Sequence, residues 1–229
     1  MVSLVTAARR LLSRSVGARS TNITMDQLFH RHDYGAEGYA KYRDVQIAHN
    51  KRKIERVFAD ENTLKGIVDY CSGQEIHSGI CHGARNGWEV DFFSKHFGCE
   101  IIGTDISETA SQFSHMVQWD FHEENPDWIG KFDFVYTNSL DQAFDPEKAL
   151  GAWARQLTPT GLIFIEHTKW HAADAAGEMD PFGAHPMLMP YLLLDWGRNK
   201  YRPIDIIHVD NSDVLKGQTW VFVVAPVTA

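Results

Sequence analysis

The hydrophobic and polar positions of this chain follow two different periods after residue 74. Short runs rich in Ile, Val, Phe and Tyr are typical of buried strands, and between them apolar residues recur every three or four positions, as in amphipathic helices. The runs predict seven strands, at about 75–82, 99–104, 116–119, 132–137, 162–166, 203–209 and 219–225. Because strands alternate with helices, we expect a mostly parallel sheet with helices on both faces.

Turn and cap residues mark the ends of the predicted helices. Gly98 follows a helix whose Val90, Phe93 and Phe97 share a face, and Asp145-Pro146-Glu147 suits the start of another helix. The remaining predicted helices cover about 37–58, 63–71 and 187–196. A short polar connection joins the last two strands, which favours an antiparallel pair. The predicted fold is therefore α/β and Rossmann-like, a doubly wound, mostly parallel seven-stranded sheet with a terminal antiparallel strand pair.

Composition narrows the class of protein. The chain has 229 residues, of which 44% are hydrophobic and 23% charged, values typical of one globular domain with an appendage. It contains no run of about 18 apolar residues, so no membrane-spanning helix is predicted. The net charge of −8 argues against a nucleic-acid partner, which needs a basic face. The three cysteines form no CxxC pair, which indicates a reducing compartment, and we expect a cytoplasmic protein.

The first 24 residues differ from the rest of the chain. They contain four arginines and no acidic residue, and apolar residues recur among them at helical spacing. Such a basic amphipathic segment is typical of a transit peptide for mitochondria or another organelle, or of a helix on an anionic membrane surface. An extension without a role is the third interpretation. We accordingly predict an extension at 1–24 and an α/β domain at 25–229.

Polar side chains follow each predicted strand at the edge where open α/β sheets bind ligands. A glycine turn that opens a helix, as at Gly83–Gly87, admits a ligand close to the backbone and favours negative charge there. Asp105, 22 residues beyond Gly83, can accept hydrogen bonds from a ribose diol. Asp120 stands between Trp119 and Phe121, where it can accept from the amine of an adenine covered by the rings. The sequence therefore predicts an adenosine site.

These segments resemble successive motifs of class I S-adenosylmethionine-dependent methyltransferases. The resemblance covers about residues 64–225 and is carried by Gly83-x-Arg85-x-Gly87-x-Glu89, by 103–107, by Trp119-Asp120-Phe121-His122 and by 132–141. It implies an enzyme that binds S-adenosylmethionine, with Gly83 and Gly87 along the methionine part, Asp105 on the ribose, Asp120 with Phe121 at the adenine, and Asn138 facing the sulfonium. The full set of cofactor residues expected from it is Gly83, Ala84, Arg85, Gly87, Asp105, Ile106, Asp120, Phe121 and Asn138.

Two positions depart from the family pattern. Arg85 stands where the middle glycine of the loop is usual, and Cys81 occupies a strand position that is often acidic. We hypothesise that Arg85 binds the methionine carboxylate, because a guanidinium pairs with a carboxylate bidentately. The alternative is a solvated or structurally paired arginine.

The acceptor and the catalytic groups are less constrained. Segment 168–190 mixes apolar and polar residues, which suits a small-molecule, glycan or lipid-linked acceptor, methylated at oxygen. Candidate bases are His167 and Asp141, with His171 nearby, and each can instead be structural. The pairs His167/His171 and His30/His32 lack further ligands at metal spacing, so we predict no metal site. Two other functions stay open: a non-catalytic domain, and an NAD(P)-dependent oxidoreductase, which the absence of Gly-x-Gly-x-x-Gly disfavours.

Overall fold

A seven-stranded mixed sheet forms the centre of the computed structural model, which describes residues 25–210 and 217–227. Its strands are β2 (Ser78–His82), β3 (Glu100–Asp105), β4 (Met116–Gln118), β5 (Phe132–Thr137), β6 (Leu157–His167), β8 (Tyr201–Asp210) and β9 (Gln218–Pro226). They lie in the order β4-β3-β2-β5-β6-β9-β8, and the first five are parallel. Strand β9 runs antiparallel to both of its neighbours. The predicted sheet, including its terminal antiparallel pair, is confirmed.

Helices cover both faces of the sheet. They are α1 (Met25–Leu28), α2 (Gly38–Arg52), α3 (Glu61–Tyr70), α4 (Trp88–Phe97), α5 (Pro146–Gln156) and α6 (Met189–Gly197). One core cluster joins α5 and α6 to the sheet around Trp153 and Ile163, and another joins α3 and α4 to the opposite face around Phe93 and Phe134. Burying each side chain of this size contributes about 1.5–3 kcal/mol, so both helical layers are held mainly by apolar contact.

Local chemistry explains where the elements begin and end. The Asp145 carboxylate accepts the backbone N–H of Lys148 at 3.1 Å, and Pro146 fills the first turn of α5 as predicted. Helix α2 ends at Arg52, six residues before the predicted boundary, because the chain turns where Lys53 N–H donates to Asn50 O at 3.0 Å. Strand β6 begins before the predicted turn at 158–161, which instead forms an irregularity in its pairing with β5.

A second, two-stranded sheet was not predicted. Strand β1 (Phe29–Arg31) pairs antiparallel with β7 (Phe182–Ala184). Three-residue strands are too short to show an alternating pattern, and their pairing joins segments more than 150 residues apart. The contact between the Phe29 and Phe182 rings, at 5.8 Å, anchors the start of the described chain beside the segment that follows β6. The predicted extension 1–24 lies outside the described residues, and no described helix is long and apolar enough to cross a membrane.

Candidate functional site

The loop between β2 and α4 brings backbone close to the end of β5. Gly83 and Gly87 have φ of 71° and 76°, a conformation that favours glycine. A Cβ on Gly83 would lie 2.6 Å from the Cβ of Ser139, so a larger residue would displace the loop that follows β5. Arg85 also has a positive φ, 46°, although it is not glycine. The loop therefore keeps a strained residue at its tip, as binding loops often do.

Asp105 ends β3 and is buried beside this loop. Its carboxylate accepts the backbone N–H of Ser107 at 2.9 Å, and the backbone N–H of Arg85 also donates to it. Burial raises the pKa of Asp105 despite these donors. The glycine loop and the acidic end of β3 thus hold each other in place.

Asp120 follows β4 and is held by His122. Its Oδ1 accepts the backbone N–H of His122 at 3.0 Å and the Nδ1–H at 2.7 Å. The Nε2 atom of His122 accepts the backbone N–H of Asp145 at 3.3 Å, which fixes the proton of the ring on Nδ1. Burial acts to raise the pKa of Asp120, but the bonds from His122 outweigh it and the pKa is lowered. Asp120 is therefore an ionised, oriented carboxylate.

Helix α2 and the strand ends enclose a narrow recess. Its volume is about 20 Å³. Asp105 and Asp120 line it together with Gly83 and Arg85. The lining residues are Tyr42, Gln46, His49, Asn50, Gly83, Arg85, Asp105, Ile106, Asp120, Phe121 and Gln142. Burial and neighbouring cations lower the pKa of His49 to about 4, so its ring is neutral. Six of the nine sequence-predicted cofactor residues thus meet in one recess.

A larger cavity of about 580 Å³ adjoins the recess and shares Gly83 and Arg85 with it. The predicted residues Ala84, Asn138 and Asp141 lie on its wall. Its charged lining side chains are Lys53, Arg56, Arg85, Glu89, Asp141, Glu166 and Asp180, with His49 and His171 beside them. A cavity of this volume accommodates a small organic ligand.

Asp141 is a buried carboxyl on this wall. Its side chain is 8% exposed, and Oδ2 lies 3.7 Å from Nε2 of His171. Within the described chain, its Oδ1 has no hydrogen-bond partner. Burial, reinforced by the nearby Asp180, raises the pKa of Asp141 well above its usual value.

His167 and Gly87 lie outside both linings. His167 is 3% exposed, packs against Phe222 at 5.7 Å between ring centroids, and has its pKa lowered to about 3 by burial. A general base must reach the proton that it removes, which His167 does not do from behind the wall. Gly87 instead starts α4 where a Cβ would lie 3.1 Å from Cγ of Met116. Across residues 25–210 and 217–227, no group of three His, Cys, Asp or Glu side chains is arranged to hold a metal ion.

Several lining residues were missed by sequence reasoning. Helix α2 contributes four of them; its polar-rich pattern suited a helix that could close one side of the site, but it did not indicate which of its side chains line the recess. Glu89 lies within the quoted loop motif but was given no role, and burial raises its pKa to about 8. The role of His122 could also have been predicted, because the spacing Asp-x-His after a strand permits the hydrogen bond between carboxylate and imidazole that the structure shows.

The chain has the fold of several solved methyltransferases. No protein-family model and no curated protein matches it. It is similar to the 1,6-didemethyltoxoflavin-N1-methyltransferase of Burkholderia thailandensis, solved with bound S-adenosylhomocysteine: 17% identity, 84% of this chain and 90% of that chain covered, TM-score 0.62. It is similar to the N-methyltransferase NodS of Bradyrhizobium japonicum, solved in complex with S-adenosylhomocysteine: 12% identity, coverage of 80% and 99%, TM-score 0.59.

The same fold also occurs in a protein named for another reaction. The [4+2]-cyclase SpnF shares 12% identity over 73% of this chain and 81% of that chain, with a TM-score of 0.56. At such identities the likeness establishes the Rossmann-like fold, and the function has to be argued from the site.

Proposed function

We propose that this chain binds S-adenosylmethionine and transfers its methyl group to a small-molecule, glycan or lipid-linked acceptor. The observation that carries the proposal is the convergence of the Gly83 loop, Asp105 and Asp120 with Phe121 on one recess that adjoins a larger cavity. This is the edge of the sheet at which open α/β folds bind ligands. Two of the similar structures were solved with S-adenosylhomocysteine, which supports the same ligand class here.

The residues present fit such a cofactor chemically. Arg85 Nε is a buried donor without a partner among the described residues, and its side chain lines the recess, where the Asn50 side chain donates to the Asp105 carboxylate. In the proposed complex Asp105 binds the ribose hydroxyls, while Asp120 and Phe121, with Ile106 beside them, bind the adenine. Gly83, Ala84 and Arg85 border the methionine part, and Asn138 faces the sulfonium. At about 20 Å³ the recess has to widen, so the α2 side chains on its wall move when an adenine enters.

The chain itself has a modest chemical task. The bound sulfonium supplies an activated methyl group, and the protein has to align the acceptor with it and exclude water. Alignment of this kind can lower a barrier by roughly 7–11 kcal/mol. If the acceptor carries a proton, Asp141 is the base within the cavity, and His167 takes no part. Methylation at oxygen stays a prediction from the sequence.

A ligand panel tests the proposal. A ligand that binds only the folded state at 100 times its Kd adds about 2.7 kcal/mol of stability. For a chain of this size that corresponds to roughly 5–10 °C in Tm. We expect S-adenosylmethionine and S-adenosylhomocysteine to raise the melting temperature and NAD to leave it unchanged. A shift with NAD alone would indicate an oxidoreductase, and no shift with any of the three would indicate a non-catalytic domain.

Location and membrane contact remain proposals. A cytoplasmic location, an organelle matrix reached through a transit peptide, and peripheral membrane binding all depend on residues 1–24. Comparing the full chain with a variant lacking residues 1–24 in membrane cofractionation and in organelle fractions separates these alternatives. Membrane association or import that is lost with the deletion assigns the segment its role, and identical behaviour of both chains supports a cytoplasmic protein.

A further inference from the structure

Four carboxyl groups lie on the wall of the large cavity beyond the residues assigned to the cofactor. They belong to Glu89, Asp141, Glu166 and Asp180. Glu166 already has a partner, because its Oε2 accepts a hydrogen bond from the hydroxyl of Tyr136 at 2.7 Å. Asp141 and Asp180 act on each other as like charges. Carboxyl groups are therefore concentrated on this wall, and one of their oxygens, Asp141 Oδ1, has no hydrogen-bond partner among the described residues.

The surroundings of Asp141 leave one of its oxygens for a ligand. The backbone N–H of Thr168 donates to Nδ1 of His171 at 3.1 Å, so the proton of that ring lies on Nε2, which faces Asp141 Oδ2 at 3.7 Å. The backbone N–H groups of Asp141 and Gln142 lie close enough to the carboxyl to act against the rise in its pKa, but no side chain in the described part of the chain donates to the other oxygen, Oδ1, and the side chain forms part of the cavity wall. A buried carboxylate oxygen with incomplete hydrogen bonding is costly, so this position favours a ligand that brings both a donor and a positive charge.

The cations of the cavity do not fill this place. Lys53 and Arg85 both lie over the ring of Phe58, with Nζ and Cζ at 5.2 and 4.8 Å from its centroid. Lys53, His171 and Arg85 act on Asp180, and Lys53 also acts on Asp141, but the strongest charge acting on Asp141 is Asp180 itself. The cavity thus has basic groups gathered around Phe58 and an acidic pair in which the like charge of Asp180 outweighs the effect of Lys53 on Asp141. An exposed aromatic ring, Trp170 at 58% exposure, stands on the same lining and offers apolar contact.

We propose that the acceptor is an amine, bound as its ammonium ion by Asp141 and Asp180 and deprotonated by Asp141. This inference rests on the proposed methyl transfer and specifies its acceptor atom as nitrogen, in place of the oxygen expected from the sequence. The amine proton passes to the Asp141 carboxylate, which frees the nitrogen lone pair. The nitrogen then bonds to the methyl carbon while the carbon–sulfur bond breaks and sulfur keeps the electron pair. The product is a methylated ammonium ion, and Asp141 returns the proton to water.

Other acceptor classes satisfy the wall less well. An alcohol can donate one hydrogen bond to Oδ1, but it brings no charge to separate the two carboxyl groups. A carboxylate acceptor would add a third negative charge at the same place and would be drawn instead to Lys53 and Arg56. Only a cation compensates the acidic pair as it enters.

The test compares ligands that share a carbon skeleton and differ only in their functional group. Benzylamine, phenethylamine and cyclohexylmethylamine are titrated into the full chain saturated with S-adenosylhomocysteine, each beside the alcohol and the carboxylate of the same carbon skeleton. Binding is followed by calorimetry, so that the readout does not depend on turnover. We expect at least one amine to bind about tenfold or more tightly than its alcohol, with the carboxylate weaker still.

Matched variants locate the binding. Asp141→Asn and Asp180→Asn should each remove the preference for the amine, whereas Asp174→Asn, an exposed carboxylate in the same segment, should leave it unchanged. If Asp141→Asn does not fold, Asp180→Asn carries the comparison alone. Equal binding of amine and alcohol across the panel, a preference for the carboxylate, or an amine preference that survives both substitutions would overturn the inference. Binding of S-adenosylhomocysteine is measured first and fails only if the proposed function fails.

Discussion

Arg85 combines three features of a ligand-binding residue. It adopts φ of 46°, it contributes to both the recess and the cavity, and its Nε is buried without a hydrogen-bond partner in the described chain. Its remaining contacts are weak, with Nη1 donating to Arg56 O at 3.5 Å and the guanidinium over Phe58. A non-glycine residue in this backbone region costs roughly 1–3 kcal/mol, a cost that glycine would avoid, so we expect the Arg85 side chain to have a binding role.

Replacing Arg85 should separate binding from stability. Hydrogen bonds to charged groups are worth about 1.5–3 kcal/mol, so Arg85→Ala should weaken S-adenosylhomocysteine about 10- to 150-fold in calorimetry. Arg85→Gly should weaken it equally while raising Tm, because glycine relieves the positive φ. Arg43→Ala, at an exposed arginine of α2, is the matched control. Unchanged affinity for S-adenosylhomocysteine in both Arg85 variants would show that Arg85 does not bind the ligand.

Glu89 makes the protein less stable as pH rises. Burial raises its pKa to about 8, whereas an unfolded chain holds it near 4.5. Its contribution is therefore fully favourable below pH 4.5 and is lost progressively between pH 4.5 and 8, where the unfolded state ionises first. Glu89→Gln should raise the free energy of unfolding by about 2–4 kcal/mol at pH 7.5 and change it little at pH 4.5.

Urea denaturation at the two pH values measures this difference. The exposed Glu55→Gln serves as the control, since solvent already surrounds that side chain. An identical gain for Glu89→Gln at both pH values would show that packing, rather than ionisation, sets the effect.

At the scale of elements, α2 is held to the molecule by polar contacts and by one buried aromatic side chain. Its buried side chains, Tyr42, Gln46, His49 and Asn50, follow helical spacing, and Tyr42 packs against the rings of Tyr34, His122 and Phe144. Tyr42 donates to Gln142 O at 2.9 Å, Gln46 to Met179 O at 2.9 Å, and Asn50 Oδ1 accepts from Thr109 at 2.7 Å. Such bonds each contribute only about 0.5–1.5 kcal/mol net, so α2 should separate from the sheet more easily than the apolar helices do.

Hydrogen exchange can detect this difference. Without ligand, the amides of α2 should exchange faster than those of β2 and β5, because local opening of α2 exposes less apolar surface than opening of the buried central strands does. Saturating S-adenosylhomocysteine should slow the exchange of the α2 amides strongly. It should hardly change the exchange of the α6 amides, because α6 contributes to neither lining. If α2 exchanges as slowly as the central strands before ligand is added, it is part of the rigid core and the recess widens by another route.

What could be predicted from the sequence depended on whether the signal was local. The strands and the residues at their tips follow from short apolar runs and adjoining turn chemistry, so Asp105 and Asp120 could be assigned to a shared edge. The face that α2 presents to the site could not, because a helix with polar residues all round gives no direction. Strands β1 and β7 escaped for a related reason: each has three residues, and only tertiary contact selects their pairing. The quality of Asp141 as a ligand group likewise depends on Asp180, 39 positions away.

At the scale of the whole molecule, the two core clusters bury the centre of the sheet from both sides. Cys81 lies on β2 with no exposure and belongs to one cluster, and burial raises its pKa well above that of a free thiol. Cys71 is buried in the same cluster, whereas Cys99 is partly exposed at the start of β3. A reagent can therefore reach Cys81 only when the sheet itself comes apart.

Thiol labelling of Cys81 should consequently report cooperative unfolding and its suppression by ligand. When opening is reversible and faster than the reaction, the rate follows the fraction unfolded, and a ligand that binds only the folded state lowers this fraction by 1 + [L]/Kd. S-Adenosylhomocysteine at 100 times its Kd should slow iodoacetamide labelling of Cys81 about 100-fold, measured by peptide mass spectrometry. Cys99 in the same sample should label at a nearly constant rate, because the reagent reaches it in the folded state. Slowing confined to α2 amides, with Cys81 unaffected, would mean that the ligand closes the site without stabilising the fold as a unit.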